Sequence, residues 1–370
     1  MKKLSPKQKS HFLRLNRKRL RRAHYKKWKK RFSNIAQNTR FKAPSPAIIV
    51  ERDHYSIQAP KEFSIKNNYK EVMGFIEKFR SIAYASERPI ELSGRKLTLD
   101  LAPVEHLAPA GALLLAAEID RWRRVVDFQP TTHRFQDWDE RVKLMLLDIG
   151  FFELLQVNPP AIKRSTQTSD DATRMIKLTT GTTAPGENCR EIQRALGRIT
   201  GGQVPDPTYM YDGISEAMTN VCHHAYPPTS SRRYHRVNER RWWASGSYNS
   251  STNMMKTLIL DFGVGIPDTL PRCNRWEEIR RKIPGKHLLF ADHAQLIKAA
   301  ISTYRTRTAT INRGKGLVQM SEYVDQSANG YMKILSGMGE VVYRNNSRYQ
   351  LQRLPVIFDG TLVEWRVENA

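Results

Sequence analysis

Residues 207–226, PTYMYDGISEAMTNVCHHAY, carry two helical patterns at once, and together they restrict what the chain can build. Ile214, Ala217, Met218, Val221 and Ala225 recur at i, i+3, i+4, i+7 and i+11, the apolar stripe of a helix lying on a sheet. Glu216, Asn220 and His224 recur at steps of four on the adjoining face. A carboxylate, a carboxamide and an imidazole in a row beside a core stripe stand at the rim of a pocket, or else on an ordinary surface helix whose polar edge meets water. Pro227 and Pro228 stop the helix.

Two glycine-bearing segments follow. KTLILDFGVGIP (256–267) reads as a strand ending in Asp261, after which Gly263 and Gly265 permit backbone conformations and close approaches that side chains forbid. A strand-end carboxylate can accept a hydrogen bond from an exocyclic amine such as that of adenine, whereas the bland alternative is a glycine-rich turn. In TATINRGKGLVQM (308–320), Gly314 and Gly316 bracket Lys315 just before a helical pattern, an arrangement able to hold phosphates on backbone N–H groups and a helix N-terminus. It lacks P-loop spacing.

Upstream, helix and strand patterns alternate. NYKEVMGFIEKFRSIA (68–83) is an amphipathic helix and KLTLDL (96–101) a strand; APAGALLLAAEIDRW reads as a helix, RVVDF (124–128) as a buried strand, and ERVKLMLLDIGFFELL as a helix broken at Gly150. This alternation predicts an α/β layer. The polar, aperiodic IKRSTQTSDDATR (162–174) reads as a linker, and a second β/α pattern runs to the end. The expected organisation is a basic tail over 1–45, an α/β domain over 46–160, a linker over 161–174 and a second domain over 175–370. RRWWASGSY with strand 256–260 reads as a β-hairpin whose Trp242 and Trp243 face opposite sides, one in the core and the other either packed or at a partner surface.

Charge is concentrated. The net charge is +25, and residues 1–31 hold 15 Lys or Arg with no Asp or Glu, leaving 46 basic against 36 acidic residues elsewhere. Phe12, Tyr25, Trp28 and Phe32 interleave with these cations, so the tail suits DNA or RNA through phosphate neutralisation and ring stacking. An acidic protein, a membrane surface and a solvated arm are the other readings. Cys189, Cys222 and Cys273 show no metal or disulfide spacing, which suits a reducing compartment. The run GALLLAAEI (111–119) is well short of the ~18 apolar residues that span a bilayer. A soluble, cytoplasmic protein is expected; the Arg-rich, acid-free first residues leave a mitochondrial-type presequence open.

Taken in order, ExxxNxxxHAY, DxGxGIP, RGKGL and GTLVEW (360–365) resemble the GHKL, or Bergerat-fold, ATPase superfamily, and the HAY ending looks closest to the anti-sigma-factor serine kinases. The resemblance covers about 171–370. It implies ATP and Mg²⁺ as ligands, with Asn220 on the metal, Glu216 activating the attacking hydroxyl or water, and His224 lining the phosphate end or steadying the helix. It further implies Asp261 reading adenine, Gly263 and Gly265 shaping that pocket, Gly314, Lys315 and Gly316 holding phosphates, and Gly360 and Thr361 closing the adenine side. Residues 268–312 resemble an ATP lid with two helical patterns, whose Arg280, Arg281, Arg305 and Arg307 face either the γ-phosphate or solvent. Asn312 stands where many relatives have glycine.

The run LTLDLAPVEHLAPAGALLLAAEI followed by VKLMLLDIGFFELL resembles the STAS fold of anti-sigma-factor antagonists over roughly 50–155. Ala110, before Gly111, occupies the position of that family's phosphorylatable serine, so this copy would not be switched there. The two resemblances imply a regulatory switch, serine-kinase-like or ATPase, acting on a separate protein, with a homodimer as one assembly. Alternatives are a nucleic-acid-associated ATP-gated protein of MutL type and a nucleotide sensor without turnover. No phosphoacceptor helix pair or receiver pattern supports a two-component kinase.

Overall fold

The computed structural model describes residues 43–84, 95–125, 130–158, 173–184, 186–202, 204–228, 240–283, 285, 292–305, 316–327, 329–345 and 347–369. The tail read as a nucleic-acid arm, 1–31, lies outside them, as does most of the linker. The fold is of mixed α and β class.

The first segment holds β1 (Ile48–Val50), β2 (His54–Gln58), β3 (Glu62–Phe63), α1 (Tyr69–Ala83), β4 (Lys96–Asp100), β5 (His106–Leu107), α2 (Pro109–Val125), β6 (Thr131–His133), α3 (Glu140–Asp148) and α4 (Phe151–Leu154). Its sheet runs β1-β2-β4-β6, antiparallel at the first pair and parallel at the other two, while β3 and β5 form a small parallel pair. Helix α1 forms where the apolar period dictates, burying Val72, Met73, Phe75, Ile76 and Phe79. Asp139 caps α3 by accepting from the amides of Arg141 and Val142, worth about 1 kcal/mol. Gly150 separates α3 from α4 at a φ of +82°, a left-handed turn that glycine adopts without strain.

Two expectations are corrected. RVVDF does not open as a strand: Arg124 and Val125 are the last turn of α2, with Val125 exposed, and the short strand β6 comes later. A run of two valines fits either pattern, and here the helix begun at Pro109 extends as far as Val125, while 126–128, the rest of the expected strand, lie outside the described residues. The expected linker also ends early, since Thr173 and Arg174 already pair with Asn249 and Tyr248 in a sheet.

The second segment holds β7 (Thr173–Met175), β8 (Thr179–Gly181), α5 (Gly186–Thr200), α6 (Pro207–Asn220), β9 (Trp242–Asn249), β10 (Met254–Asp261), α7 (Ile266–Thr269), α8 (Trp276–Arg281), α9 (His293–Arg305), α10 (Gly316–Asp325), β11 (Tyr331–Arg344) and β12 (Arg348–Glu368). Its antiparallel sheet runs β11-β12-β10-β9-β7, with β8 also on β9.

Alternation along β10 explains how the layers stack. Met255 and Ile259 face a core built with α5, α6, α9 and α10, whereas Leu258 and Leu260 face the opposite side. On that side they join one continuous core with Phe75, Phe79, Leu113 and Trp122 of α1 and α2. The large sheet is covered on both faces, because the first segment's helices supply its second cover. Trp242 and Trp243 do take opposite faces, and both are fully buried: the Trp242 indole donates to the Thr183 carbonyl at 2.6 Å and the Trp243 indole to Asp120 at 2.9 Å. Neither is left for an external partner.

Candidate functional site

Pro207 opens α6 at a position where a missing N–H costs nothing, and Met210, Gly213, Ile214, Ala217 and Met218 bury the predicted stripe. Glu216 and Asn220 sit half-buried one turn apart, and the Asn220 side chain hydrogen-bonds Glu216. Burial raises the Glu216 pKa above the usual carboxylate range, with the Asn220 hydrogen bond opposing it. The Asn220 amide also lies 3.9 Å from the sulfur of Met320 on α10, so this helix and the one that starts at Gly316 share an edge.

The row does not continue as a regular helix. Val221–Ala225 wind as a π turn, a wider coil that rotates less per residue than an α-helix, so His224 leaves the line set by Glu216 and Asn220. His224 is exposed. Partial enclosure by protein and the neighbouring charge of His223 both hold its pKa below the ordinary imidazole value. The π turn serves instead to deliver Ala225 and Tyr226 to the end of β10.

There the second segment converges. Asp261 is the last residue of β10, buried, facing Trp242 in β9 and Thr361 in β12. One of its carboxylate oxygens accepts from the Gly263 amide at 2.7 Å, a tight Asx-type turn. The Val264 amide donates to the Ala225 carbonyl at 2.8 Å, and a Cβ on Gly263 would collide with that same carbonyl. Gly265 takes a φ of +81° and opens α7.

Three residues without an assigned role in the sequence reading tie these parts together. Tyr226, buried, accepts from the Phe262 amide at 3.1 Å and donates to the Arg241 carbonyl at 2.5 Å; burial and the nearby Asp261 charge keep its phenol protonated well above the usual range. Ser336 of β11, fully buried, accepts from the Ile266 amide at 2.9 Å, donates to the Gly360 carbonyl at 2.9 Å and lies 3.2 Å from the Thr361 hydroxyl. Met320 is the third. Tyr226 was legible as the end of HAY, but a serine inside an apolar strand and a methionine on a helix carry no pattern of their own.

Gly360 has a φ of +105°, and a Cβ there would strike the Asp261 carbonyl oxygen. Thr361 follows it, nearly buried. The structure thus brings Asp261, Gly263, Gly265, Gly360 and Thr361 to one end of the sheet, where the turn that follows α6 also arrives, while Glu216 and Asn220 stay on α6 with Asn220 beside Met320 of α10, the helix that starts at Gly316. Gly314, Lys315, Asn312 and Arg307 lie outside the described residues, as does the side chain of Arg305.

Between the two glycine segments, α8 and α9 appear where helical patterns predicted them. They have their own small core of Leu270, Trp276, Ile279, Ile283, Leu296, Ala299 and Ala300, against which Ile266 and Leu317 pack. Arg280 lies 3.4 Å from Glu277, and Arg281 is exposed.

Among the described residues no cluster of three or more His, Cys, Asp or Glu could hold a metal by itself. A carboxamide oxygen one turn from a carboxylate is instead a sparse oxygen donor set, of the kind usable only by a hard cation that keeps most of its waters. No helix among the described residues is long and apolar enough to cross a membrane. No protein-family model matches the chain, and no curated protein is significantly similar to it.

Proposed function

We propose that residues 175–370 form a GHKL-type site for ATP and Mg²⁺, and that residues 46–160 form a STAS-like layer joined to it in one regulatory switch protein. The observation that supports this reading is the convergence of the turn that follows α6, the β10 terminus and the Gly360 bend, three distant pieces of chain tied by Tyr226 and Ser336. In such a site Asp261 accepts from the adenine amine, and Gly263 and Gly360 let the chain pack closely on the Ala225 and Asp261 backbone around that carboxylate. Asn220 meets the cation, and Glu216 takes the proton of the attacking hydroxyl or water, work suited to a carboxylate whose pKa burial has raised. Gly316 stands where the phosphate loop meets the N-terminus of α10.

A STAS-like reading of the first segment is supported by the mixed order of its sheet and by α2 opening directly after β5 with Ala110 and Gly111 in its first turn. Ala110 is buried and bears no hydroxyl, so phosphate transfer is directed at a separate protein. The basic tail favours a second reading, in which nucleotide binding gates an attachment to nucleic acid.

Purified full-length protein incubated with labelled ATP and Mg²⁺, with and without cell extract, DNA or RNA, separates these readings. Label on a distinct protein supports the kinase, phosphate release stimulated by nucleic acid supports the gate, and tight ATP retention without either supports a sensor. Failure to bind ATP removes the reading altogether.

A further inference from the structure

The junction between the two segments is built from charge as well as from apolar packing. Arg80 of α1 and Glu118 of α2, both buried, form a salt bridge in which Arg80 Nε donates to Glu118 at 2.7 Å. Tyr84 donates to the other Glu118 oxygen at 3.3 Å, and Arg121 lies 3.9 Å from it. Groups this buried are retained at a desolvation cost, so what else they touch is informative.

Both guanidiniums lie against one ring. The Arg80 and Arg121 carbons are 5.2 Å and 4.8 Å from the ring centre of Phe262, whose other neighbour, Trp243, is 5.0 Å away. Phe262 is the residue between Asp261 and Gly263. Arg80 also donates to Asp359 at 3.0 Å, and Asp359 immediately precedes Gly360 and Thr361. One arginine of the first segment therefore reaches both stretches of backbone that frame Asp261, while Tyr226 fixes the Phe262 amide from the opposite side.

We infer that Arg80, Glu118 and Arg121 are positioning residues for the purine end of the cleft: by holding Phe262 and Asp359 they fix where the Asp261 carboxylate stands, so that the first segment sets the affinity and base preference for adenine nucleotides. This rests on the ATP reading of the site. A carboxylate held in place accepts from the adenine amine and faces a carbonyl oxygen in guanine, so loosening its support costs selectivity and not only affinity.

The test uses the full chain with Phe262→Leu and, separately, Asp359→Asn, which keeps the side chain's shape. Competition binding gives the affinities for ATP and GTP. In each variant the ATP-over-GTP preference should shrink about tenfold, equivalent to about 1.4 kcal/mol, chiefly through weaker ATP binding. A wild-type chain that binds neither nucleotide overturns the site reading and this inference with it. A wild type that prefers ATP, with variants that keep the same preference or lose both nucleotides in equal proportion, overturns the positioning role alone. If neither variant melts cooperatively, hydrogen exchange of the wild type decides: ATP should slow exchange in the last two turns of α2, and unchanged exchange there overturns the inference.

Discussion

Gly360 and Asp261 approach so closely that a Cβ on the first would overlap the carbonyl oxygen of the second, and the Gly360 φ of +105° is one that side chains rarely adopt. The bend lets β12 shift from pairing with β11 alone to pairing also with β10 at the Asp261–Thr361 step. Gly360→Ala should therefore destabilise the protein by about 1–3 kcal/mol through backbone strain and also weaken nucleotide binding. Urea denaturation and ATP titration check both. Gly263→Ala meets the Ala225 carbonyl without a φ penalty, so the same measurements should show a smaller stability loss with a comparable binding defect.

Asn220→Ala should separate the proposed metal binding from folding. The side chain is half-buried and its contacts are with Glu216 and the Met320 sulfur, so its loss should cost no more than about 1 kcal/mol. Mg²⁺-dependent ATP binding should disappear, and removing Mg²⁺ with a chelator should bring the wild type to the same level. Calorimetry with and without the metal measures this; identical Mg²⁺ dependence in the two proteins would remove Asn220 from the cation.

How much of this was legible beforehand depended on the kind of signal. Helix α6 and strand β10 were readable because buried faces impose periods of 3.6 and 2 on the residues themselves. The π turn was not, since Val221–Ala225 keep a helical apolar pattern and the looser winding answers to the contacts of Ala225 and Tyr226 with β10. Val125 was misassigned because two adjacent valines carry no period. The shared core was hidden for a different reason: alternation in Leu258, Ile259 and Leu260 says that both faces of a strand are covered, but not by which part of the chain. Ser336 shows the limit for the site, where one hydroxyl joins three segments with no neighbouring residues to announce it.

Glu216 supplies a pH dependence with a definite sign. Its folded pKa is raised by burial, so the free carboxylate appears only as pH climbs above the ordinary carboxylate range. If turnover occurs, its acid limb should sit above that range, and Glu216→Gln should lower the rate by about 10²–10⁴-fold while ATP binding persists. A raised pKa also means that Glu216 stabilises the fold most when protonated, below its unfolded pKa, and that this contribution is lost as pH rises through the folded value. The glutamine variant should then match the wild type in acid and equal or exceed its stability at neutral pH. Rate profiles and melting curves across pH test the two halves separately.

Glu364 gives the opposite sign. It is buried in β12 with Lys333 of β11 at 3.7 Å, Lys256 of β10 at 3.7 Å and the Tyr331 hydroxyl donating to it at 2.7 Å. Burial alone would raise its pKa, but the two lysines and the phenol outweigh it and the net shift is downward. Lys256 is pushed down as well, chiefly by burial, because the one carboxylate is shared with Lys333, whose charge opposes it. Replacing the shared anion therefore strands two cations: Glu364→Gln should cost about 3–5 kcal/mol, whereas Lys256→Met, which leaves the Lys333 pair intact, should cost far less. Because the Glu364 pKa is lowered on folding, its stabilisation is present above the unfolded pKa and fades as pH falls through the folded one. The gap between wild type and Glu364→Gln should accordingly narrow in acid, a trend that denaturation curves at neutral and acidic pH would reveal; a gap that stays constant would show that Glu364 acts through its shape and hydrogen bonds and not through its charge.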